Sequence, residues 1–145
     1  MIEYKSDIIV NKPVKDVFAL IKNVSRLDEW TDMTGTRLVS GGTLKAGSQI
    51  ETTIKFGPVN QKMTFEVVEY EENRKLSFKT ISKGSVAWDA EYVFSPESDS
   101  TTKVISSGQL RLSGLLKVSE PMLAGEIRSG EAKELVRYKE LVEMA

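Results

Sequence analysis

The run IIVNKPVKDVFALI, residues 8–21, changes from one periodicity to another within a few residues. Its first residues end a longer stretch, IEYKSDIIV (2–10), which alternates and is rich in β-branched side chains, so a strand is expected there. Asn11, Lys12 and Pro13 then punctuate the chain. Asn11 suits a helix cap, Pro13 the first turn, and Asp16 the positive end of a helix. Val14, Val17, Phe18 and Ile21 follow at i, i+3, i+4 and i+7, one apolar stripe. A short amphipathic helix ending near Asn23 should therefore follow the strand.

Downstream, NVSRLDEWTDM (23–33) sets a tryptophan in a polar segment. Ser25 and Asp28 have the spacing of a capping box, predicting a second, very short helix that carries Leu27 and Trp30, with Met33 on the connection after it. From Thr36 to Leu112 the chain changes character. Strands are expected at 36–40, 48–56, 61–70, 75–82, 85–94 and 102–112. Between them lie turn signals at Gly41-Gly42, Gly57-Pro58, Glu71-Glu72-Asn73, Lys83-Gly84 and SPESDS (95–100). Connections this short imply antiparallel hairpins, because a parallel crossover needs about a dozen residues or more.

From about Leu115 to Glu143 the period is helical again. Val118, Met122, Gly125, Ser129, Ala132 and Val136 form one stripe, with Ile127, Leu135, Tyr138 and Val142 beside it. Pro121 either stands in a first turn after Ser119 or kinks a longer helix that begins near Leu115. The expected fold is α+β. A seven-stranded antiparallel sheet has an apolar face to cover, and the long helix is its cover. A sheet that wide twists and should curl around the helix.

Composition narrows the chemistry. A chain of 145 residues fits one domain, 1–145. It has no cysteine and no histidine, which excludes disulfides, thiolate catalysis, Ser/His/Asp triads and the commonest metal ligand. Twenty basic residues stand against 21 acidic ones with no basic run, so no nucleic acid is expected. The N-terminus lacks the apolar core of a signal peptide, and no apolar run reaches a membrane span. A cytoplasmic protein without integral membrane association is the expectation.

The ordered set of motifs resembles the START-like helix-grip superfamily, or SRPBCC, which includes polyketide cyclase/dehydrase-like and birch-pollen-allergen-like proteins. The likeness is carried by I-x-V-N-K-P-V-x-D-V-F-x-L-I (8–21) and Trp30, then G-x-L-K-A-G-S (42–48), EYVFSP (91–96) and GLLKVSEPMLAGEI (114–127). It spans nearly the whole chain. The resemblance implies a cavity between the curved sheet and the long helix, closed at one end by the short helices. It also implies a small hydrophobic or amphipathic ligand, lipid- or polyketide-like, and in some members cyclisation or dehydration of a bound polyketide. Other members serve as protein-interaction modules, so fold alone does not fix function.

Trp30 is expected near the mouth or closed end of that cavity, either as wall or as a core anchor for its helix. In strand 85–94, Val86, Trp88, Ala90, Tyr92 and Phe94 should face the helix. A symmetric hairpin about 95–100 would set Trp88 opposite Gly108, which would make room for its ring, and Tyr92 opposite Val104. Met63, Phe65 and Val67 should point inward, as should Leu76 and Phe78. A plain turn at Lys83-Gly84 would put Lys79 there instead of Phe78, so a bulge with a left-handed Gly84 is expected. The ligand-binding wall is assigned to Trp30, Phe65, Phe78, Trp88, Tyr92 and Met122. Gly125, Ser129 and Ala132 either leave space for a ligand or let the helix approach the sheet closely. Asp28 and Asp32 read as capping or solvent-facing. Asp32, Glu66, Asp89, Glu91 and Arg111 are the charged candidates for catalysis, most of them on solvent faces. No catalytic residue, metal ligand or cofactor is assigned. Enclosure of a small hydrophobic molecule is the favoured function. A cyclase or dehydrase without His or Cys chemistry is the alternative, requiring a carboxylate or tyrosine inside the cavity. A protein-interaction module, with a filled interior, is the third.

Overall fold

A computed structural model describes residues 1–56 and 58–144; Gly57 of the Gly57-Pro58 turn signal lies outside the described residues. Strand β1 (Ile2–Val10) leads into helix α1 (Val14–Ile21), a 3-10 turn (Val24–Arg26) and helix α2 (Leu27–Trp30). Strands β2 (Met33–Leu38), β3 (Gln49–Phe56), β4 (Val59–Glu71), β5 (Lys75–Thr80), β6 (Val86–Ser98) and β7 (Thr101–Leu112) follow. Helices α3 (Leu115–Val118) and α4 (Glu120–Met144) end the chain. The strands make one antiparallel sheet in the order β1-β7-β6-β5-β4-β3-β2. The meander predicted from the hairpin spacings is thus present, and β1 closes it beside β7. The curved sheet grips α4, as the α+β helix-grip reading requires.

The helix starts differ in detail from the sequence reading. Asn11 does not cap α1: its backbone N–H donates to Glu143 Oε2 at 2.8 Å, while the Pro13 carbonyl accepts from the Asp16 and Val17 N–H groups. The Ser25–Asp28 capping box does not form either. Ser25 Oγ donates to Asn23 Oδ1 at 2.6 Å, and the Asp28 carboxylate accepts from the hydroxyl and backbone N–H of Thr36. Asp28 thereby braces the turn into β2. That strand begins at Met33, which pairs with Ile54 instead of lying in a connection.

Two hairpins correct the expected register. β6 and β7 close on Asp99 and Ser100, with a bulge between Pro96 and Ser98. Trp88 consequently lies opposite Leu110 and Tyr92 opposite Ser106, two residues from a symmetric closure. An even shift preserves the face, so the inward set is unchanged. Pro96 is tolerated because it lies beyond Val93, where the β5 ladder ends. Phe78 does reach the interior face, but not through a left-handed Gly84, which is absent from the positive-φ residues. The 81–85 connection is simply longer than a two-residue turn. Thr80 Oγ1 accepts from the Trp88 N–H at 3.0 Å and donates to its carbonyl at 3.2 Å, extending the ladder with a side chain. The bulge near here is on β4, where Val68 is the extra residue between the Val67–Phe78 and Glu69–Ser77 pairs.

The face of the long helix is the largest correction. Ser119 separates α3 from α4, and Pro121 stands in the first turn of α4, the first of the two alternatives. Val118, Met122, Gly125, Ser129, Ala132 and Val136 all lie on the exposed side. The buried side carries Leu123, Glu131, Glu134, Leu135, Tyr138 and Val142. Gly125 therefore neither opens space for a ligand nor meets the sheet; a Cβ there would meet nothing within 4 Å. Polar bonds tie this helix to its neighbours. Tyr138 Oη accepts from the Ile21 N–H at 3.2 Å and donates to the Val17 carbonyl, holding the end of α1. Tyr138→Phe removes both bonds in a buried site, and chemical denaturation should show a loss of about 1–3 kcal/mol. Along β1, Arg128 Nε donates to the Glu3 carbonyl at 2.9 Å and Lys139 Nζ to that of Ile9 at 2.6 Å.

Candidate functional site

The core divides into two clusters. One surrounds Phe18, Trp30, Phe94 and Tyr138 under α1 and α2; the other surrounds Tyr4, Phe56, Phe65, Leu110 and Leu123. A cavity of about 180 Å³ lies between them, bounded by the sheet, α2 and the buried face of α4. Its walls come from the strand alternation that turns every second side chain inward.

Of the six residues assigned to a binding wall, five line this cavity: Trp30, Phe65, Phe78, Trp88 and Tyr92. Met122 does not. It is 65% exposed on the outer side of α4, because the helix presents the opposite face to the sheet. Trp30 is both wall and core, 1% exposed, with the edges of Tyr138 and Tyr92 against it at ring separations of 4.8 and 5.8 Å. Its indole Nε1 is buried without a hydrogen-bond partner among the described residues. Trp88 is half-buried among Phe56, Phe65 and Tyr4, with ring centroids 6.0–6.3 Å away. Its Nε1 donates to Tyr4 Oη at 2.9 Å. Gly108 does not make room for the Trp88 ring as the symmetric hairpin required; the ring above it is that of Tyr4, its partner across β1 and β7.

The polar groups of the site were not legible as such. Glu131 and Glu134, one helical turn apart, line the cavity at 4% and 8% exposure. They are in phase with Leu123, Ile127 and Tyr138, and that spacing is the signal that could have found them. Glu134 Oε1 accepts from the Asp32 N–H at 3.3 Å. Burial pushes both carboxyls up from the ordinary range, and for Glu134 the neighbouring Glu131 and Asp32 add to the effect. Tyr4 and Tyr92 are also raised, first by burial and then by Glu131, so their hydroxyls keep their protons. Asp32 is exposed at the rim, where Arg137 meets it at 3.3 Å and also donates to the Trp30 carbonyl at 3.1 Å. The other charged candidates lie elsewhere: Asp89 and Arg111 are exposed, Glu66 is half-buried outside the cavity lining, and Glu91 pairs with Lys75 at 3.1 Å. Among the described residues, no three acidic side chains cluster closely enough to hold a metal ion. Nor is any helix long and apolar enough to cross a membrane.

These raised carboxyls fix the sign of a pH dependence. Above about pH 4.3, where an unfolded glutamate ionises, the folded chain holds more protons than the unfolded one, so this pair makes stability fall as pH rises. Each pKa unit of elevation corresponds to about 1.4 kcal/mol. Urea unfolding of Glu131→Gln/Glu134→Gln should give a flatter pH profile and higher stability at neutral pH. An unchanged slope would contradict the burial of the two charges.

A curved seven-stranded sheet around a C-terminal helix, with short helices after the first strand and a cavity between, defines the START-like helix-grip class. The chain belongs to the polyketide cyclase/dehydrase and lipid transport family, whose model matches residues 1–143. No curated protein matches the sequence. Among solved structures, a protein of Thermus thermophilus superposes with a TM-score of 0.82 at 15% identity, covering 98% of this chain and 97% of that one. The Zhui aromatase/cyclase of Streptomyces sp. R1128 gives 0.79 at 11% identity, with 97% and 93% covered. A START superfamily protein from Mycobacterium smegmatis gives 0.77 at 13%, with 99% of both chains covered. At these identities the likeness is one of fold. Family membership supports a ligand-binding or cyclase role.

Proposed function

We propose that this protein binds a small hydrophobic molecule bearing one polar group in the cavity between the sheet and α4. The observation that carries this reading is an aromatic-walled space with two buried carboxyls on one side. Its volume of about 180 Å³ resembles the roughly 150 Å³ apolar void that takes up benzene in another protein. A ligand of one or two rings fits that scale better than a long acyl chain. Trp30, Phe65, Phe78, Trp88 and Tyr92 would supply the apolar contacts. Burying about 300 Å² of ligand surface gives on the order of 7 kcal/mol before the costs of immobilisation, consistent with micromolar affinity.

A cyclase or dehydrase is the second reading, supported by the carboxyls and the protonated Tyr4 and Tyr92 hydroxyls facing one cavity. Two carboxyls that resist joint ionisation offer an acid and a base side by side. The Streptomyces aromatase/cyclase shares this fold, which suits the same reading. An interaction module with a filled interior is disfavoured by the open space.

Native mass spectrometry of the purified protein tests the binding reading by looking for a retained small molecule. Tryptophan fluorescence with a panel of apolar ligands, repeated in Trp30→Phe and Trp88→Phe, should report mainly through Trp88. If no mass is retained and neither tryptophan responds, the binding reading is lost.

A further inference from the structure

We infer that the polar group of the ligand is a basic nitrogen, and that the cavity selects a small aromatic amine with its ammonium against Glu131 and Glu134. This rests on the cavity being a ligand site. The two side chains are almost wholly withdrawn from solvent, and neither belongs to any ion pair among the described residues. A buried carboxylate ordinarily has a cation or several donors. Here Glu134 has one backbone N–H, and the polar partner of Glu131 is Glu134, another acid. Lys133, between them in sequence, is exposed, and Arg137, the cation on the same helix that acts on Glu131, is committed to the Trp30 carbonyl and to Asp32.

The groups facing the pair supply little positive charge. They are Tyr4 from β1, Tyr92 from β6, Asp32 from the corner after α2, and Arg137 on α4 itself. At the exposed rim, Asp32 is paired with Arg137, and Glu126 stands against Lys55. An anionic ligand would meet repulsion from the buried pair. A neutral carbonyl ligand would need a protonated carboxyl as donor, and would bind less well as the pair ionises. An ammonium does the opposite, and the aromatic walls add attraction for a cation. The sign of the pH dependence therefore separates the ligand classes.

The test compares toluene, benzyl alcohol, benzylamine and benzoate by calorimetric titration at about pH 5 and about pH 8. Benzylamine stays protonated across that range, so a change in its affinity reports the protein's carboxyls. Benzylamine should bind at least about tenfold tighter at the higher pH, matching a carboxyl pKa unit. It should also bind tighter than benzyl alcohol and benzoate there. In Glu131→Gln/Glu134→Gln, and in each single variant, the pH dependence should shrink while toluene affinity persists, which shows that the cavity survives. Equal binding of benzyl alcohol or benzoate, or an unchanged benzylamine profile in the double variant, overturns the amine assignment. If toluene is bound and benzylamine is not preferred, only this inference fails. If none of the four binds, the cavity reading falls with it.

Discussion

Trp30→Ala should lower the unfolding free energy by about 3–5 kcal/mol, the cost of deleting a large aromatic from a core that cannot fully collapse. The indole is gripped edge-on by Tyr138 and Tyr92, and Tyr138 in turn holds α1 through Ile21 and Val17. Losing the ring opens the wall between the first core cluster and the cavity. The void would join existing space, so a ligand of matching shape should refill it. Thermal melts with added indole should show the variant regaining part of its lost midpoint while the wild type changes less, since ligand bound only by the folded state stabilises it. A variant that melts within a few degrees of wild type would show that Trp30 packs loosely, contrary to its 1% exposure.

Gly108→Ala should be nearly as damaging, at about 2–4 kcal/mol from overpacking together with a broken hydrogen bond. A single methyl there would stand 2.6 Å from both the Asp89 carbonyl and Tyr4 Cζ, and closer still to the Tyr4 hydroxyl. The carbonyl belongs to the neighbouring strand and cannot swing aside. Tyr4 would have to leave, giving up its bond from Trp88 Nε1. A double-mutant cycle isolates the effect: the same substitution in a Tyr4→Leu background should cost less, because one of the two obstacles is gone. Near-ultraviolet dichroism would report the displaced Trp88. A cost below about 0.5 kcal/mol would mean that the sheet relaxes freely at this point.

The sheet was legible because alternation is a local signal. Met63, Phe65 and Val67, and Trp88 with Tyr92, face inward as their period of two requires, even where the hairpin register is off by two residues. Register itself was not legible at SPESDS, since the bulge beside Pro96 depends on where β5 stops, a property of a different segment. The long helix failed for a more instructive reason. Its exposed side holds Met122 and Val136, and its buried side mixes Glu131 and Glu134 with Leu123, Leu135, Tyr138 and Val142, so hydrophobicity marks neither side cleanly. Reading α4 as amphipathic selected Met122 for the wall and passed over the carboxyls that give the cavity its polarity. The site thus departs from the pattern where its chemistry lies.

An open sheet has two unsatisfied margins, and each is a potential template for a strand from another molecule. Here they are blunted by different means. On β1 the carbonyls of Glu3 and Ile9 are occupied by Arg128 and Lys139, so the long helix places cations on backbone that an incoming chain would otherwise engage. On β2 the ladder slips between Thr34 and Arg37, with Gly35 at φ 63°, and the short strand bends away from a straight edge. The bonds that seat α4 therefore also guard the protein against edge-to-edge aggregation. Arg128→Ala/Lys139→Ala should show that protection being lost as faster fibril or aggregate formation under mild destabilisation.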